Sequence, residues 1–238
     1  CKGDYGGMEV RQGVFYGVGV GPGDPELLTT KALRTLERCS VIAAPRTKSG
    51  EMLALDIVRQ AMPLEGKPIL PLEFTMSRDP AVLRASRLRA SETIAARLSA
   101  GQDVAMLNLG DVSIYATFGY LMDMLTGEGY KAVMVPGVPS FCAVAARLGA
   151  SLTTVSSPLH ILPGGSSSLA EQLDLPGTKV LMKSGRQLPQ AAEVLRQKGL
   201  LEKAAMVRDC GLPTEQVCRD LTRLPEETGY FATVIVKE

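Results

Sequence analysis

The stretch Gly17-Val-Gly-Val-Gly-Pro-Gly-Asp-Pro25, continued by Glu26-Leu-Leu-Thr-Thr30, decides how the rest of the chain is read. An apolar run, Val14-Phe-Tyr-Gly-Val18, enters a turn made of Gly19, Gly21, Pro22 and Gly23, and a helical pattern follows. Glycine lets a backbone turn sharply and come close to a ligand. Strand, glycine turn and helix is the layout of a ligand site at the carboxyl edge of a parallel sheet. The spacing departs from the dinucleotide fingerprint, because Pro22 stands where its third glycine belongs. It also lacks the Gly-Lys-Ser/Thr of a P-loop. Two readings remain: a site for something adenosine-like without a pyrophosphate, or a tight βα connection with no ligand.

Working outward, the chain has 238 residues, enough for one large or two small domains with cores of their own. Lys plus Arg (26) balance Asp plus Glu (25), so there is no electrostatic footprint for nucleic acid or an anionic membrane. No apolar run is long enough to span a bilayer. Residues 1–12 begin with a polar, glycine-rich segment and read as a flexible leader. The five cysteines (Cys1, Cys39, Cys142, Cys210, Cys218) form no C-x-x-C, and their odd number argues against a disulfide framework. A reduced, cytoplasmic protein is the simplest expectation. His160 is the single histidine and sits in an apolar strand-like run, as a structural histidine would. With no cysteine cluster beside it, no metal site is expected. Cys142 falls among apolar helix residues and is expected to be buried. No G-x-S-x-G nucleophile elbow occurs.

Short β-branched runs alternate with amphipathic segments. Strands are expected at residues 14–20, 41–44, 67–72, 104–108 and 132–135, and helices at 27–39, 51–61, 79–100, 114–125 and 140–148. This alternation predicts a largely parallel sheet covered by helices. A Thr/Ser/Pro stretch at 149–157 reads as a linker. Beyond it, strands are expected at 160–162, 179–182, 204–208, 216–220 and 231–237, with helices at 168–173 and 188–198. The last three strands are joined by turns, which predicts an antiparallel or mixed sheet. The fold class is therefore α/β, with an N-terminal domain at 13–152 and a C-terminal domain at 153–238.

Further segments could carry chemistry beside the glycine turn. In Leu107-Asn-Leu-Gly-Asp-Val-Ser-Ile-Tyr115 a buried strand ends at Gly110-Asp111. Asp111 would lie where α/β sheets bind ligands, or serve as a capping aspartate, with Ser113 able to cap the next helix. In Val133-Met-Val-Pro-Gly-Val-Pro-Ser-Phe141 two prolines around a glycine make a rigid turn. Three such loops from one sheet point to a ligand site more strongly than any one of them. Met182, in Val180-Leu-Met-Lys-Ser-Gly-Arg186, fits either core packing or the face of an adenine ring. Val207-Arg-Asp-Cys-Gly-Leu212 reads as an ordinary turn.

On these residues the chain resembles the tetrapyrrole (corrin/porphyrin) methylase family, whose members use S-adenosylmethionine. The matching segments are Gly17–Asp24, Leu109-Gly-Asp-Val-Ser-Ile-Tyr115, Val135-Pro-Gly-Val-Pro-Ser-Phe141 and Leu181-Met-Lys183, and the resemblance covers about residues 13–238. Within the family it is most similar to the precorrin-2 / cobalt-factor II C20-methyltransferases of cobalamin synthesis. The resemblance implies a two-domain homodimer with S-adenosylmethionine in a cleft between the domains, acting on a tetrapyrrole that is metal-free or cobalt-loaded. Pro22 would lie at the base of that cleft. Leu109, Gly110, Asp111 and Ile114 would line the methionine part of the cofactor, with Pro139 and Ser140 beside it. Met182 and Gly211 would touch the adenosine. The aspartate that the family's uroporphyrinogen methylases carry after the second strand is absent here, where the loop reads Ala43-Ala-Pro-Arg46.

The substrate bears many carboxylates, which arginines pair with bidentately. Arg46 is the candidate substrate-binding residue, and Arg78, Arg84, Arg87, Arg89 and Arg186 are also available. Tyr230, in Thr228-Gly-Tyr-Phe-Ala-Thr233, is the candidate catalytic residue, because its hydroxyl can donate or accept a hydrogen bond at the reacting carbon. Methylation at another corrin position, or a nucleotide-binding module without catalysis, are the alternative functions.

Overall fold

The computed structural model describes residues 11–75, 77, 79–183, 185–222 and 231–237. The chain forms two units: residues up to Gly21 with Pro25–Gly137, and Pro22–Asp24 with the chain from Val138 onward.

The first unit contains β1 (Val14–Gly19), α1 (Thr30–Arg38), β2 (Val41–Arg46), α2 (Leu53–Ala61), β3 (Ile69–Glu73), α3 (Pro80–Ser99), β4 (Val104–Asn108), α4 (Phe118–Gly127) and β5 (Lys131–Val135). Among the described residues its sheet has five strands in the order β3-β2-β4-β1-β5, and every neighbouring pair is parallel. β4 is buried along its whole length, as a central strand with both faces covered must be. Val104 and Met106 pack with Phe15, Ile94, Leu98, Phe118 and Leu121 under α3 and α4. The alternate residues Ala105 and Leu107 are also buried and point to the other face, while α1 and α2 contact β1, β2 and β4.

Two helix starts differ from the sequence expectation. Pro25–Leu27 forms a short 3-10 turn, and α1 begins only at Thr30, where the Thr29 hydroxyl accepts the Ala32 N–H at 3.0 Å. α4 begins at Phe118 rather than at residue 114. Tyr115 takes a left-handed backbone (φ 48°), which no right-handed helix can contain. Ser113 therefore caps no helix; its N–H and hydroxyl turn back onto Asp111. Phe118 lies under β1, 4.9 Å from the Phe15 ring centroid, and fills the space that a Cβ at Gly17 would need.

The second unit contains α5 (Ser140–Leu148), β6 (Leu159–Pro163), α6 (Leu169–Leu173), β7 (Thr178–Met182), α7 (Leu188–Gln197), β8 (Ala204–Arg208), β9 (Gln216–Cys218) and β10 (Ala232–Val236). Its sheet is mixed, in the order β6-β7-β10-β8-β9 among the described residues: β6 and β7 are parallel, and β10 runs antiparallel to both β7 and β8. Leu181, Met206, Val234 and Val236 pack with Leu169, Leu188 and Leu195 of α6 and α7. The sequence reading draws its boundary after residue 152; by its contacts α5 goes with this second sheet, packing on β8 and β10.

The buried stripe of α5 is Phe141, Val144, Ala145 and Leu148. Cys142 is one step of about 100° off that stripe and is exposed, which overturns the expectation that it is buried. His160 is half-buried and meets the Pro176 carbonyl at 2.9 Å, as a structural histidine would.

Candidate functional site

Strand order locates the site in the first unit. β1 and β4 are neighbours. From β1 the chain passes β4 to reach β2, and from β4 it passes β1 to reach β5. The loops at their carboxyl ends thus leave in opposite directions, which opens a crevice at the sheet edge.

The three loops chosen from the sequence are joined there by backbone. Gly21 and Gly110 exchange hydrogen bonds, Gly21 N to Gly110 O at 3.2 Å and Gly110 N to Gly21 O at 2.8 Å. Both have positive φ (76° and 73°), a conformation glycine adopts without steric cost. Gly137, from the loop after β5, is wedged against both other loops. A Cβ at position 137 would lie 2.3 Å from the Gly110 oxygen and 2.8 Å from the Gly19 Cα.

Asp111 ties the same loops through its side chain. Oδ1 accepts the Ser113 N–H at 2.8 Å as well as the Ser113 hydroxyl, and Oδ2 accepts the Gly137 N–H at 2.8 Å. Burial pushes the Asp111 pKa up, but these hydrogen bonds outweigh it and hold the carboxyl below its ordinary value. Leu109 and Ile114 flank it half-buried, and Gly110 is buried.

In the second unit, β7 and β8 are both antiparallel to β10 and so run the same way. Their carboxyl ends, carrying Met182 and the loop to Gly211, share one edge. Gly211 is exposed, with φ 82°. Its N–H donates to Glu215 Oε2 at 2.9 Å, and Glu215 is ion-paired with Arg147 of α5. The Pro22–Asp24 tip packs on this loop: a Cβ at Gly23 would fall 2.4 Å from Cys210 O, and one at Gly211 would fall 2.5 Å from Asp24 N. Pro22 is buried. Pro139 caps α5, and the Ser140 hydroxyl meets the Thr233 hydroxyl of β10 at 3.3 Å.

The structure thus gathers Leu109, Gly110, Asp111 and Ile114 in one loop, and Pro22, Gly211 and Met182 at or near one edge of the second sheet. Arg46 ends β2, one strand from β4, but its guanidinium is paired with Glu73 of β3. Tyr230, Arg78 and the side chain of Arg186 lie outside the described residues.

The sequence places Gly19 and Gly137 in two of the chosen loops without showing that they touch, and it gives no signal for Glu215. The Pro-Gly-Val-Pro spelling around residue 137 was the available signal for the second glycine. The non-glycine residues with positive φ among the described residues are Tyr115 (48°), Lys183 (54°) and Asp209 (51°). They follow β4, β7 and β8, in the loops that carry the candidate residues, and such strain collects at functional sites. No group of three or more His, Cys, Asp or Glu among the described residues is placed to hold a metal ion.

Met182 is half-buried at the end of β7, outside the cluster of buried apolar side chains. We expect Met182→Ala to lower affinity for an adenosine-bearing ligand about tenfold while the melting temperature moves by only a few degrees. Calorimetry beside thermal melting checks this. A large fall in melting temperature with affinity unchanged would assign the side chain to the core.

The family model for Tetrapyrrole (Corrin/Porphyrin) Methylases matches residues 14–224. The cobalt-precorrin-2 C(20)-methyltransferase of Salmonella typhimurium is 32% identical over 231 residues, 95% of this chain and 97% of that protein. The precorrin-2 C(20)-methyltransferase of a Sinorhizobium species is 28% identical over 237 residues, 95% of this chain and 96% of that protein. Among solved structures, a cobalt precorrin-4 methyltransferase described as a cobalamin biosynthetic enzyme superposes with a TM-score of 0.75 at 21% identity, covering 94% of each chain, and so shares the fold. Glycine-joined loops at the switch point of a parallel sheet, a mixed second sheet and similarity over nearly the whole chain agree, and the chain belongs to the tetrapyrrole (corrin/porphyrin) methylases.

Proposed function

We propose that this chain is an S-adenosylmethionine-dependent C-methyltransferase that methylates C20 of precorrin-2 or cobalt-factor II in cobalamin biosynthesis. One observation carries the reading: end-to-end similarity to a C20-methyltransferase, spanning the loops that Gly21, Gly110, Asp111 and Gly137 knit together. Tetrapyrrole methylases as a family are S-adenosylmethionine-dependent.

The residues present fit that cofactor. Asp111 stays ionised at neutral pH, and its charge favours a cationic ligand such as a sulfonium. Leu109 and Ile114 offer apolar surface, and Gly110 brings backbone close without a side chain. In this reading Pro22, Leu109, Gly110, Asp111, Ile114, Pro139, Ser140, Met182 and Gly211 hold the cofactor. When bound, it supplies an electrophilic methyl group for in-line displacement by a ring carbon.

The protein's own contribution is then alignment and exclusion of water, which can supply much of such a rate. The glycine contacts and the Asp111 hydrogen bonds provide that rigidity. Arg46 is the proposed partner of a substrate carboxylate, in exchange with Glu73. The assembly proposed is a homodimer. The compartment proposed is the reducing cytoplasm, where cysteines such as Cys39, Cys142 and Cys210 stay as thiols.

The test is incubation with methyl-labelled S-adenosylmethionine and either metal-free or cobalt-loaded factor II, with mass and NMR analysis of the product. Label at C20 supports the proposal. Label at another ring carbon, or no turnover with either substrate, overturns it. For Tyr230 the proposed role is a hydrogen bond at the reacting carbon. Tyr230→Phe should then lower kcat about 10²-fold and leave cofactor affinity unchanged, whereas wild-type turnover would remove Tyr230 from the mechanism.

A further inference from the structure

Lys183 follows β7 directly, at the edge that carries Met182 and the Gly211 loop. Its backbone is left-handed (φ 54°), a conformation in which the Cβ of an L side chain crowds the following carbonyl oxygen. The residue before Lys183 is tied to the loop after β6. The Met182 carbonyl accepts the Gly164 N–H at 2.7 Å, and the Gln187 amide lies where a Cβ on Gly165 would be, 2.3 Å from its Oε1. Lys183 is exposed as a residue, yet burial partly desolvates its ammonium and pushes its pKa below the ordinary lysine value.

The cations at the strand ends of the two units differ in what they already hold. Arg46 is paired with Glu73, Arg147 with Glu215, and Arg208 lies 3.7 Å from Asp209. The Lys183 ammonium engages no carboxylate, carbonyl or ring among the described residues. A strained backbone that presents a cation without a counter-ion among the described residues is suited to meeting an anion that arrives with a ligand.

We infer that Lys183 is a substrate-positioning residue whose ammonium pairs with a carboxylate of the tetrapyrrole. This rests on the methyltransferase reading above. The ammonium contributes charge and orientation, and no bond to it forms or breaks.

The experiment compares wild type with Lys183→Gln, Lys183→Arg and Lys183→Gly. It measures KM for factor II, kcat, the S-adenosylmethionine Kd by calorimetry, and the melting temperature. The expected result for Lys183→Gln is a rise of about tenfold in KM for factor II, the scale of one charge-assisted contact, with the cofactor Kd unchanged. The salt dependence of KM should also become shallower than in wild type. Lys183→Arg should recover most of the loss. Lys183→Gly should raise KM as much as Lys183→Gln while melting no lower than wild type, because glycine relieves the positive φ.

A KM within twofold of wild type in Lys183→Gln, or an equal loss of cofactor affinity, overturns the inference. So does a lowered melting temperature in Lys183→Gly. Failure of the wild-type chain to methylate either form of factor II would instead be a failure of the underlying reading.

Discussion

Gly137→Ala is expected to leave a folded protein that has lost at least 100-fold in kcat/KM, with weakened cofactor binding. The added methyl would sit 2.3 Å from the Gly110 oxygen and 2.8 Å from both Gly19 C and Gly19 Cα. These neighbours are backbone atoms, so no side chain can rotate away, and the loops must separate. Overpacking of this kind costs about 1–3 kcal/mol, a fall in melting temperature of roughly 2–12 °C for a chain of this size. Displacing aligned groups by about 1 Å can cost about 100-fold in rate. The loss of activity should therefore exceed what the loss of stability explains at a temperature where the variant is folded. Thermal melting, calorimetry with S-adenosylmethionine and steady-state kinetics together decide it. Wild-type kinetics in Gly137→Ala would show that the three-loop junction is not part of the site.

Asp111→Ala should come next in size. The substitution removes the acceptor for the Gly137 N–H and the one oxygen that accepts both Ser113 donors. Losing hydrogen bonds to a charged group costs about 1.5–3 kcal/mol, a factor of roughly 10 to 100 in cofactor affinity if the loops are used in binding. Asp111→Asn separates charge from geometry, since it keeps one carbonyl acceptor. The pH dependence follows from the sign of the shift. The folded pKa lies below the ordinary carboxyl value of 3.8. The folded state therefore binds this proton less readily than the unfolded state. The stabilisation from Asp111 is fully present above the ordinary value and is lost as pH falls through the lower folded value. Acid titration of stability should show a carboxylate component in wild type that Asp111→Asn lacks. Identical acid profiles, with equal cofactor affinity in a folded Asp111→Ala, would reduce Asp111 to a surface turn.

Asp111 also shows where local reading stops. A buried run ending in Gly110-Asp111 placed it at a strand's carboxyl end, and the structure has it there. Its partners could not be read locally. One acceptor bond runs to Gly137, 26 residues away, and depends on β5 lying against β1. A longer separation, 68 residues, hid the role of Glu215, whose partners are the neighbouring Gly211 and the remote Arg147. The expected helix at 114–125 failed for a related reason. Its apolar spacing is helical, but Tyr115 is held left-handed and the helix waits for Phe118 to seat under Gly17. Cys142 was misplaced because helix composition does not say which residues face the sheet; the stripe through Phe141, Val144, Ala145 and Leu148 does.

What the sequence determined by itself is therefore the part that depends on short-range periodicity and turn chemistry. That part comprises the strands and helices of both units, the parallel first sheet, the mixed second sheet, and the three glycine- and proline-marked loops that single out the family. Alternating and 3.6-residue patterns are local properties of the chain, and burial acts on them wherever the partner surface comes from. Only the tertiary structure decided the strand order that sets β1 beside β4, the contact of Gly19, Gly110 and Gly137, and the engagement of Arg46 with Glu73. Each of these is a meeting of residues far apart in the chain. Their distances are set by packing of whole elements, and no window of sequence contains both partners.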